Sequence, residues 1–107
     1  MASSPREFFE NDVRRKLEGK PELVEKINAI YQFDITGDAG GFWIVDLTKP
    51  EVREGRDENA RCTVTVLDED FMKVISGEFN AQMAFMAGKL KVGGDMTLAM
   101  KLTEILV

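Results

Sequence analysis

Hydrophobic and polar residues alternate with the period of a helix over the first nineteen positions. Phe9, Val13 and Leu17 recur every four residues, so they lie on one face of the helix that this spacing predicts. Ser4 precedes a proline and is well placed to cap that helix. Gly19 accepts the left-handed backbone that commonly ends a helix. We therefore expect the first helix to begin at Ser4 and to end at Gly19.

Beyond a second helix, which is predicted to begin at Pro21, the hydrophobic period changes to two. This alternation is typical of strands with one buried face. The predicted strands cover residues 31–35, 42–47 and 62–66, with a short edge strand within the polar stretch 48–59 and a last strand at 89–92. Strands in the middle of the sequence, with helices before and after them along the chain, favour an α+β fold in which helices cover one face of a mainly antiparallel sheet. We expect residues 1–107 to form a single domain.

The last forty residues are predicted to be mainly helical and are unusually apolar. Asp68, Asn80 and Asp95 are each placed to cap a helix, and the last of these helices is expected to run to the end of the chain. At 100° per residue, one narrow face of that helix is polar and carries Thr97, Lys101 and Glu104. The remaining apolar arc is wide, so it requires cover from the protein core, a partner or a ligand.

Methionines and aromatic residues are concentrated near this apolar helix. Five of the six methionines lie close together in sequence: Met72, Met83, Met86, Met96 and Met100. Methionine adapts to ligands of varying shape, but it also fills irregular gaps in a core. Three phenylalanines (Phe71, Phe79 and Phe85) and Trp43 allow the same two interpretations, because they can line an apolar pocket or fill it. Composition does not distinguish the two.

The sequence offers few groups for catalysis. It contains no histidine, which removes the commonest general base and the commonest transition-metal ligand. Its one cysteine, Cys62, lies in a predicted strand and is interpreted as a small buried residue. The acidic run at residues 68–70 fits a helix N-terminus better than a cation site. We therefore expect no enzymatic activity, no metal and no cofactor.

Charge and hydropathy set the expected location. The net charge of −5 disfavours binding to nucleic acid. The longest wholly apolar run, residues 83–87, is too short to span a bilayer. The first residues lack the apolar core of a secretory signal. These features predict a cytoplasmic protein.

Three blocks of the sequence resemble the sterol carrier protein-2 family. The longest block covers residues 77–102 and reads GEFNAQMAFMAGKLKVGGDMTLAMKL. The others are GGFWIVDL at residues 40–47 and ARCTVTVLDEDFMKVISG at residues 60–77. The resemblance extends in the same order from about Leu17 to the last residue. It implies a five-stranded sheet covered by helices, with a hydrophobic tunnel between the layers.

The resemblance also implies a non-catalytic carrier that binds fatty acids, fatty acyl-CoA, sterols or phospholipids. Together with the apolar pattern, it predicts that the lipid contacts Trp43, Phe71, Ile75, Phe79, Gln82, Met83, Phe85, Met86, Leu98, Leu102 and Leu106. Family members also occur fused to lipid-metabolising enzymes, so an accessory domain of a larger enzyme is one alternative. A structural or protein-interaction domain with a filled core is the other.

The chain departs from the family pattern at several positions. Many members have lysine, leucine and proline where this chain has Glu78, Phe79 and Ala81, and the larger Phe79 is expected to narrow the tunnel. The chain ends in Ile-Leu-Val rather than in a peroxisomal targeting tripeptide, which agrees with a cytoplasmic location. We expect a monomer that binds a lipid and contacts membranes transiently.

Overall fold

A computed structural model describes residues 2–106 of the chain. Its N-terminal helices are α1 (Pro5–Glu7), a π-helical segment (Phe8–Val13), α2 (Arg14–Gly19) and α3 (Pro21–Ile27). Ser4 caps the first of them, as predicted, because its hydroxyl accepts a hydrogen bond of 3.1 Å from the N–H of Glu7. The sequence pattern does not predict the π-helical segment. With this wider turn, both Phe8 and Phe9 are buried.

Five strands form one sheet in the order β3-β2-β1-β4-β5. The strands are β1 (Ile30–Thr36), β2 (Gly41–Asp46), β3 (Glu51–Glu54), β4 (Cys62–Leu67) and β5 (Leu90–Gly94). Neighbouring strands are antiparallel except β1 and β4, which are parallel. The predicted α+β fold with a mainly antiparallel five-stranded sheet is confirmed. The short edge strand expected within residues 48–59 is β3.

The parallel pair arises because the loop between β3 and β4 carries the chain across β1. Gln32 of β1 holds this loop: its amide nitrogen donates to the carbonyl of Gly55 at 3.0 Å, and its amide oxygen accepts from the N–H of Asp57 at 3.0 Å. Arg56 of the loop pairs with Asp34 at 2.9 Å. Gln32 and Asp34 are therefore buried. The strand β1 is covered on both faces, whereas its alternation predicts a half-buried strand.

The other face of the sheet carries the hydrophobic core. Tyr31, Phe33 and Ile35 of β1 point to this face because they are two residues apart. The register places Trp43 of β2 and Val64 of β4 beside Phe33. All five side chains are buried. The strand faces predicted from alternation are thus confirmed on the helix-covered side.

The C-terminal helices are short. They are α4 (Asp68–Ile75), α5 (Ala81–Met86), α6 (Met96–Met100) and α7 (Leu102–Leu106). Two predicted caps are confirmed: Asn80 accepts from the N–H of Gln82 at 2.8 Å, and Asp95 accepts from the N–H of Thr97 at 2.9 Å. No helix within residues 2–106 is long and apolar enough to cross a membrane.

Two expectations for these helices are wrong. Asp68 is the first residue of α4 and Leu67 occupies the cap position; the Asp68 carboxylate instead accepts from the N–H of Ala39 at 2.9 Å and ties the β1–β2 turn to α4. The last helix is also not continuous. The N–H of Lys101 donates to the carbonyl of Leu98 at 3.1 Å, and this tight turn ends α6 before α7 begins. Position 107 lies outside the described residues.

Candidate functional site

A groove with a volume of about 520 Å³ lies between α5, β5 and the two C-terminal helices. It is lined by Ala81, Gln82, Phe85, Leu90, Val92, Met96, Ala99, Met100, Leu102, Thr103 and Leu106. Small-molecule sites in proteins have volumes of about 300–1,000 Å³, so this groove is of a suitable size. Among the described residues that line it, only Gln82 and Thr103 have polar side chains. The groove therefore suits an apolar ligand.

The local structure explains why these side chains converge. Leu90 and Val92 are two residues apart in β5, so both point to the helix-covered face of the sheet and form the floor. Leu102 and Leu106 are about one turn apart in α7 and form one wall. Ala99 of α6 projects only a methyl group into the groove. The space remains open because small residues occupy positions where larger ones would fill it.

Four of the residues predicted to contact lipid line this groove. They are Gln82, Phe85, Leu102 and Leu106. The first two lie on α5 and the other two lie on α7, on opposite sides of the space. The structure thus brings residues from two predicted helices to one cavity, and their role as lipid contacts stays a prediction.

Seven predicted residues lie outside the groove lining, and two of these belong to an aromatic cluster. The ring of Phe9 is stacked on Trp43 and on Phe71, with ring centroids 5.4 Å apart in both pairs. All three side chains are almost fully buried. In this structure Trp43 and Phe71 fill the core beside the N-terminal helix.

The other five predicted residues take three kinds of position. Leu98 lies on the buried side of α6. Ile75 and Phe79 are half-buried and pack against the core. Met83 and Met86 are exposed on the outer side of α5. None of the five borders the groove, so their proposed contact with lipid is not supported by their position here.

The predicted set lacks seven of the lining residues. These are Ala81, Leu90, Val92, Met96, Ala99, Met100 and Thr103. The cluster of methionines carries a signal for Met96 and Met100, and strand alternation carries one for Leu90 and Val92. The sequence does not show that β5 lies at the sheet edge beside α5. Thr103 gives no apolar signal at all.

The helices beside the groove carry five exposed apolar side chains, which we call the methionine collar. It consists of Met83, Phe85, Met86, Met96 and Met100, with relative exposures of 70%, 43%, 79%, 51% and 81%. Phe85, Met96 and Met100 line the groove as well. The space is therefore an open groove in this structure, and the closed tunnel implied by the resemblance stays a prediction.

Polar contacts attach α6 to the sheet. The buried hydroxyl of Tyr31 donates to the carbonyl of Leu98 at 2.6 Å, and burial raises the pKa of Tyr31 well above its usual range. The N–H of Asp95 donates to the carbonyl of Arg61 at 2.8 Å, and the Asp95 carboxylate pairs with the Arg61 guanidinium at 2.9 Å. Desolvation opposes ionisation of Asp95, but the N–H groups of Thr97 and Leu98 and the Arg61 charge lower its pKa.

Neither Cys62 nor the acidic run at residues 68–70 is placed as a reactive or metal-binding group. Cys62 is buried in β4, as predicted, and desolvation raises the pKa of its thiol to about 11, so it is protonated at neutral pH. The Asp68 carboxylate accepts two backbone hydrogen bonds. Within residues 2–106, no three His, Cys, Asp or Glu side chains are grouped to hold a metal ion.

A second cavity of about 680 Å³ lies on the opposite face of the sheet. It is lined by Gln32, Arg56, Asp57, Glu58, Asn59, Ala60 and Thr63. Most of these residues belong to the loop that Gln32 holds across β1, and the lining is mainly polar. The apolar groove is the better candidate for a ligand site.

Comparison with known proteins identifies a family. Residues 10–107 match the sequence profile of the SCP-2 sterol transfer family. Over 100 residues the chain is 40% identical to sterol carrier protein 2 of Homo sapiens, and this region covers 88% of the chain and 18% of the human protein. The chain spans about a fifth of the length of the curated relatives that it matches.

Solved structures share the same fold. Sterol carrier protein 2 from Yarrowia lipolytica, in its apo form, is 32% identical with a TM-score of 0.77, covering 88% of this chain and 83% of that one. The solution structure of palmitated SCP2L2 from Aedes aegypti is 32% identical with a TM-score of 0.62, covering 88% of this chain and 93% of that one.

Proposed function

We propose that this chain, which belongs to the SCP-2 sterol transfer family, binds the acyl chain of a lipid in the groove between α5, β5 and α7. The observation that carries the proposal is a 520 Å³ space whose lining is apolar except for Gln82 and Thr103. The relationship to a palmitated protein of similar fold supports the same ligand class.

Burial of the acyl chain provides the driving force. Each buried methylene contributes about 0.8 kcal/mol, and the ordering of the ligand and of side chains opposes part of this gain. We expect a fatty acid to bind one to one with a dissociation constant in the micromolar range or tighter, about −8 kcal/mol. Gln82 and Thr103 are the side chains available to a polar head group inside the groove.

A substitution that fills the groove tests the proposal. Ala99→Trp places a large ring in the space that the Ala99 methyl leaves open, and it is expected to weaken binding of a fluorescent fatty acid at least tenfold. Thr97→Trp introduces the same side chain at an exposed position of α6 that does not line the groove. This control should bind as the wild type does. Equal binding by folded Ala99→Trp and wild type would overturn the assignment of the groove.

The role is one of binding without catalysis. The chain has no histidine, and its only thiol is buried and protonated at neutral pH. We expect fatty acyl-CoA to be recovered intact after incubation with the protein, with no increase in free CoA. Thioester hydrolysis that copurifies with the folded chain would contradict this part of the proposal.

A second candidate role is that of a lipid-presenting module within a longer protein. It is favoured by one observation, since the matched region covers only 18% of human sterol carrier protein 2. The size of the protein in cell extracts, measured with an antibody against this region, tests it directly. A single product of about 12.0 kDa would exclude the module role.

A further inference from the structure

The exposed methionines beside the groove fall into two pairs. Met96 and Met100 are 51% and 81% exposed and line the apolar space, whereas Met83 and Met86 are 70% and 79% exposed on the outer side of α5 and do not line it. All four side chains are accessible from solvent. The chain thus carries the same reactive group in two positions, one beside the proposed lipid and one away from it.

The orientation of α6 keeps Met96 and Met100 at the groove. These residues are four positions apart, so they lie on one side of the helix together with Ala99, which also lines the groove. Leu98 lies on the buried side, and its carbonyl accepts the hydrogen bond of 2.6 Å from the hydroxyl of Tyr31. This contact holds the helix in the rotation that presents both thioethers to a ligand.

The thioethers are the groups of the groove that react with peroxides. Among the described residues that line the groove, only Met96 and Met100 contain sulfur. Peroxides oxidise a methionine thioether to the sulfoxide, and the sulfur has no proton to lose before it reacts. Cys62 is buried, and its thiol is protonated at neutral pH, whereas the thiolate is the reactive form. An oxidised lipid in the groove therefore meets the thioethers of α6.

We propose that Met96 and Met100 reduce hydroperoxides of acyl chains bound in the groove to the corresponding alcohols. The inference rests on the proposed lipid binding, because the acyl chain brings the hydroperoxide to the groove. The sulfur attacks the terminal oxygen of the hydroperoxide, so an S–O bond forms and the O–O bond breaks. The sulfur loses two electrons and becomes a sulfoxide. The inner oxygen keeps the electron pair of the O–O bond and takes up the hydroperoxide proton, which gives the alcohol of the lipid.

Binding supplies the rate advantage for this step. A free peroxide meets every exposed methionine by diffusion, whereas a bound lipid hydroperoxide is held beside Met96 and Met100 and reacts as if within one molecule. Each sulfur reacts once, so the chain is a stoichiometric reductant until a methionine sulfoxide reductase restores the thioether. The step needs neither a histidine nor a thiolate, in agreement with the composition of the chain and the burial of Cys62.

The first test compares two peroxides on the wild type. The hydroperoxide of linoleic acid carries an acyl chain, whereas tert-butyl hydroperoxide has the same reactive group without one. Peptide mass spectrometry after brief exposure to each peroxide measures the gain of one oxygen atom at each methionine. We expect the linoleic acid hydroperoxide to favour Met96 and Met100 over Met83 and Met86 at least tenfold more strongly than tert-butyl hydroperoxide does. The same distribution with both peroxides would overturn the inference.

Matched double variants test the formation of the alcohol. Met96→Leu/Met100→Leu removes both sulfur atoms from the groove and keeps its lining apolar. Compared at equal ligand occupancy, it should convert linoleic acid hydroperoxide to the alcohol at least tenfold more slowly than the wild type. Met83→Leu/Met86→Leu makes the same change at exposed positions outside the groove and should convert it as the wild type does. Losses of equal size in both variants, or a loss in neither, would overturn the inference.

Binding of unoxidised linoleic acid separates this inference from the proposed function. Excess linoleic acid competes for the groove, so it should slow the oxidation of Met96 and Met100 by the hydroperoxide at least fivefold, with little change at Met83 and Met86. A wild type that binds linoleic acid without this protection overturns the role of the methionines alone. A folded wild type that binds no linoleic acid overturns the proposed function.

Discussion

Phe9 and Ala99 lie over the same face of one sheet and have opposite surroundings. The ring of Phe9 contacts four other aromatic rings at centroid distances of 5.1–5.6 Å, and the side chain is fully buried. Ala99 borders an open groove of about 520 Å³. The part of the sheet under the N-terminal helices is covered by close-packed aromatic residues. The part next to β5 is covered by short helices that leave space.

The two regions are also attached differently. The N-terminal helices are held by aromatic packing, with Phe8 and Phe9 against Phe71 and Trp43, and they also contact β3 through an Arg6–Glu54 ion pair and a hydrogen bond from Arg14 to the carbonyl of Val52. The helix α6 is only five residues long, and directed polar contacts from Tyr31 and the Asp95 cap fix it to the sheet. The aromatic part of the core lies at one end of the sheet, and the open groove, whose lining includes the buried Leu90, Leu102 and Leu106, lies at the other. We therefore expect substitutions in the aromatic cluster to affect stability most, and substitutions that fill the groove to affect the proposed lipid binding most.

Truncation of the aromatic core is expected to have the largest effect on stability. Phe9→Ala removes a fully buried ring from between its neighbours and should lower the free energy of unfolding by about 3–5 kcal/mol, because a cavity remains. Urea denaturation followed by circular dichroism measures this. Phe42→Ala is the control, since Phe42 is 47% exposed, and it should change stability far less. A loss below 1 kcal/mol for Phe9→Ala would contradict the description of this region as the core.

Removal of a contact that attaches α6 to the sheet is expected to lower stability by an intermediate amount. Tyr31→Phe removes the hydroxyl that donates to the Leu98 carbonyl, which keeps the N–H of Lys101 as its other donor, so the substitution should cost about 0.5–1.5 kcal/mol. The loss should be accompanied by faster amide hydrogen exchange in α6 and α7 than in the N-terminal helix. Uniformly faster exchange would show that the two regions unfold together and would contradict the separation.

The same hydroxyl predicts a dependence of stability on pH. Burial raises the pKa of Tyr31 in the folded protein. The stability that its neutral hydroxyl contributes is therefore complete below the ordinary phenol pKa of about 10, and it is lost as the pH rises from there towards the raised pKa. The wild type should therefore lose more stability than Tyr31→Phe between about pH 10 and pH 11. Lysines titrate in both proteins, so the difference between the two curves isolates the phenol.

The sequence predicts the folded scaffold better than the groove. Alternation in β1, β2 and β4 correctly identifies the side chains that face the helices, and the caps at Ser4, Asn80 and Asp95 are correct because capping depends on nearby residues. The parallel pairing of β1 with β4 depends on where a loop crosses the sheet. The local traces of that crossing are two polar residues of β1, Gln32 and Asp34, which both contact the loop.

The same dependence on contacts between residues distant in sequence explains why only some of the predicted lipid contacts line the groove. Trp43 and Ala99 are both on apolar faces, and nothing in the local pattern shows that one fills the core while the other borders a cavity. The outcome depends on which side chains meet across the sheet, such as the ring of Phe9 against Trp43. The apolar pattern likewise gives no sign that the helix is interrupted at Lys101, although this interruption sets where the helix that carries Leu102 and Leu106 begins.

Truncation of the methionine collar is expected to have the smallest effect. Met100 is 81% exposed, so Met100→Ala should change the free energy of unfolding by less than about 0.5 kcal/mol. Leu98→Ala is the matched control in the same helix, because Leu98 is 5% exposed and its loss should cost about 2–5 kcal/mol. Urea denaturation of both variants makes the comparison. A loss above 1 kcal/mol for Met100→Ala would mean that this side chain is packed in solution, with α6 and α7 closed over the groove, and the contrast between a filled and an open end of the sheet would no longer hold.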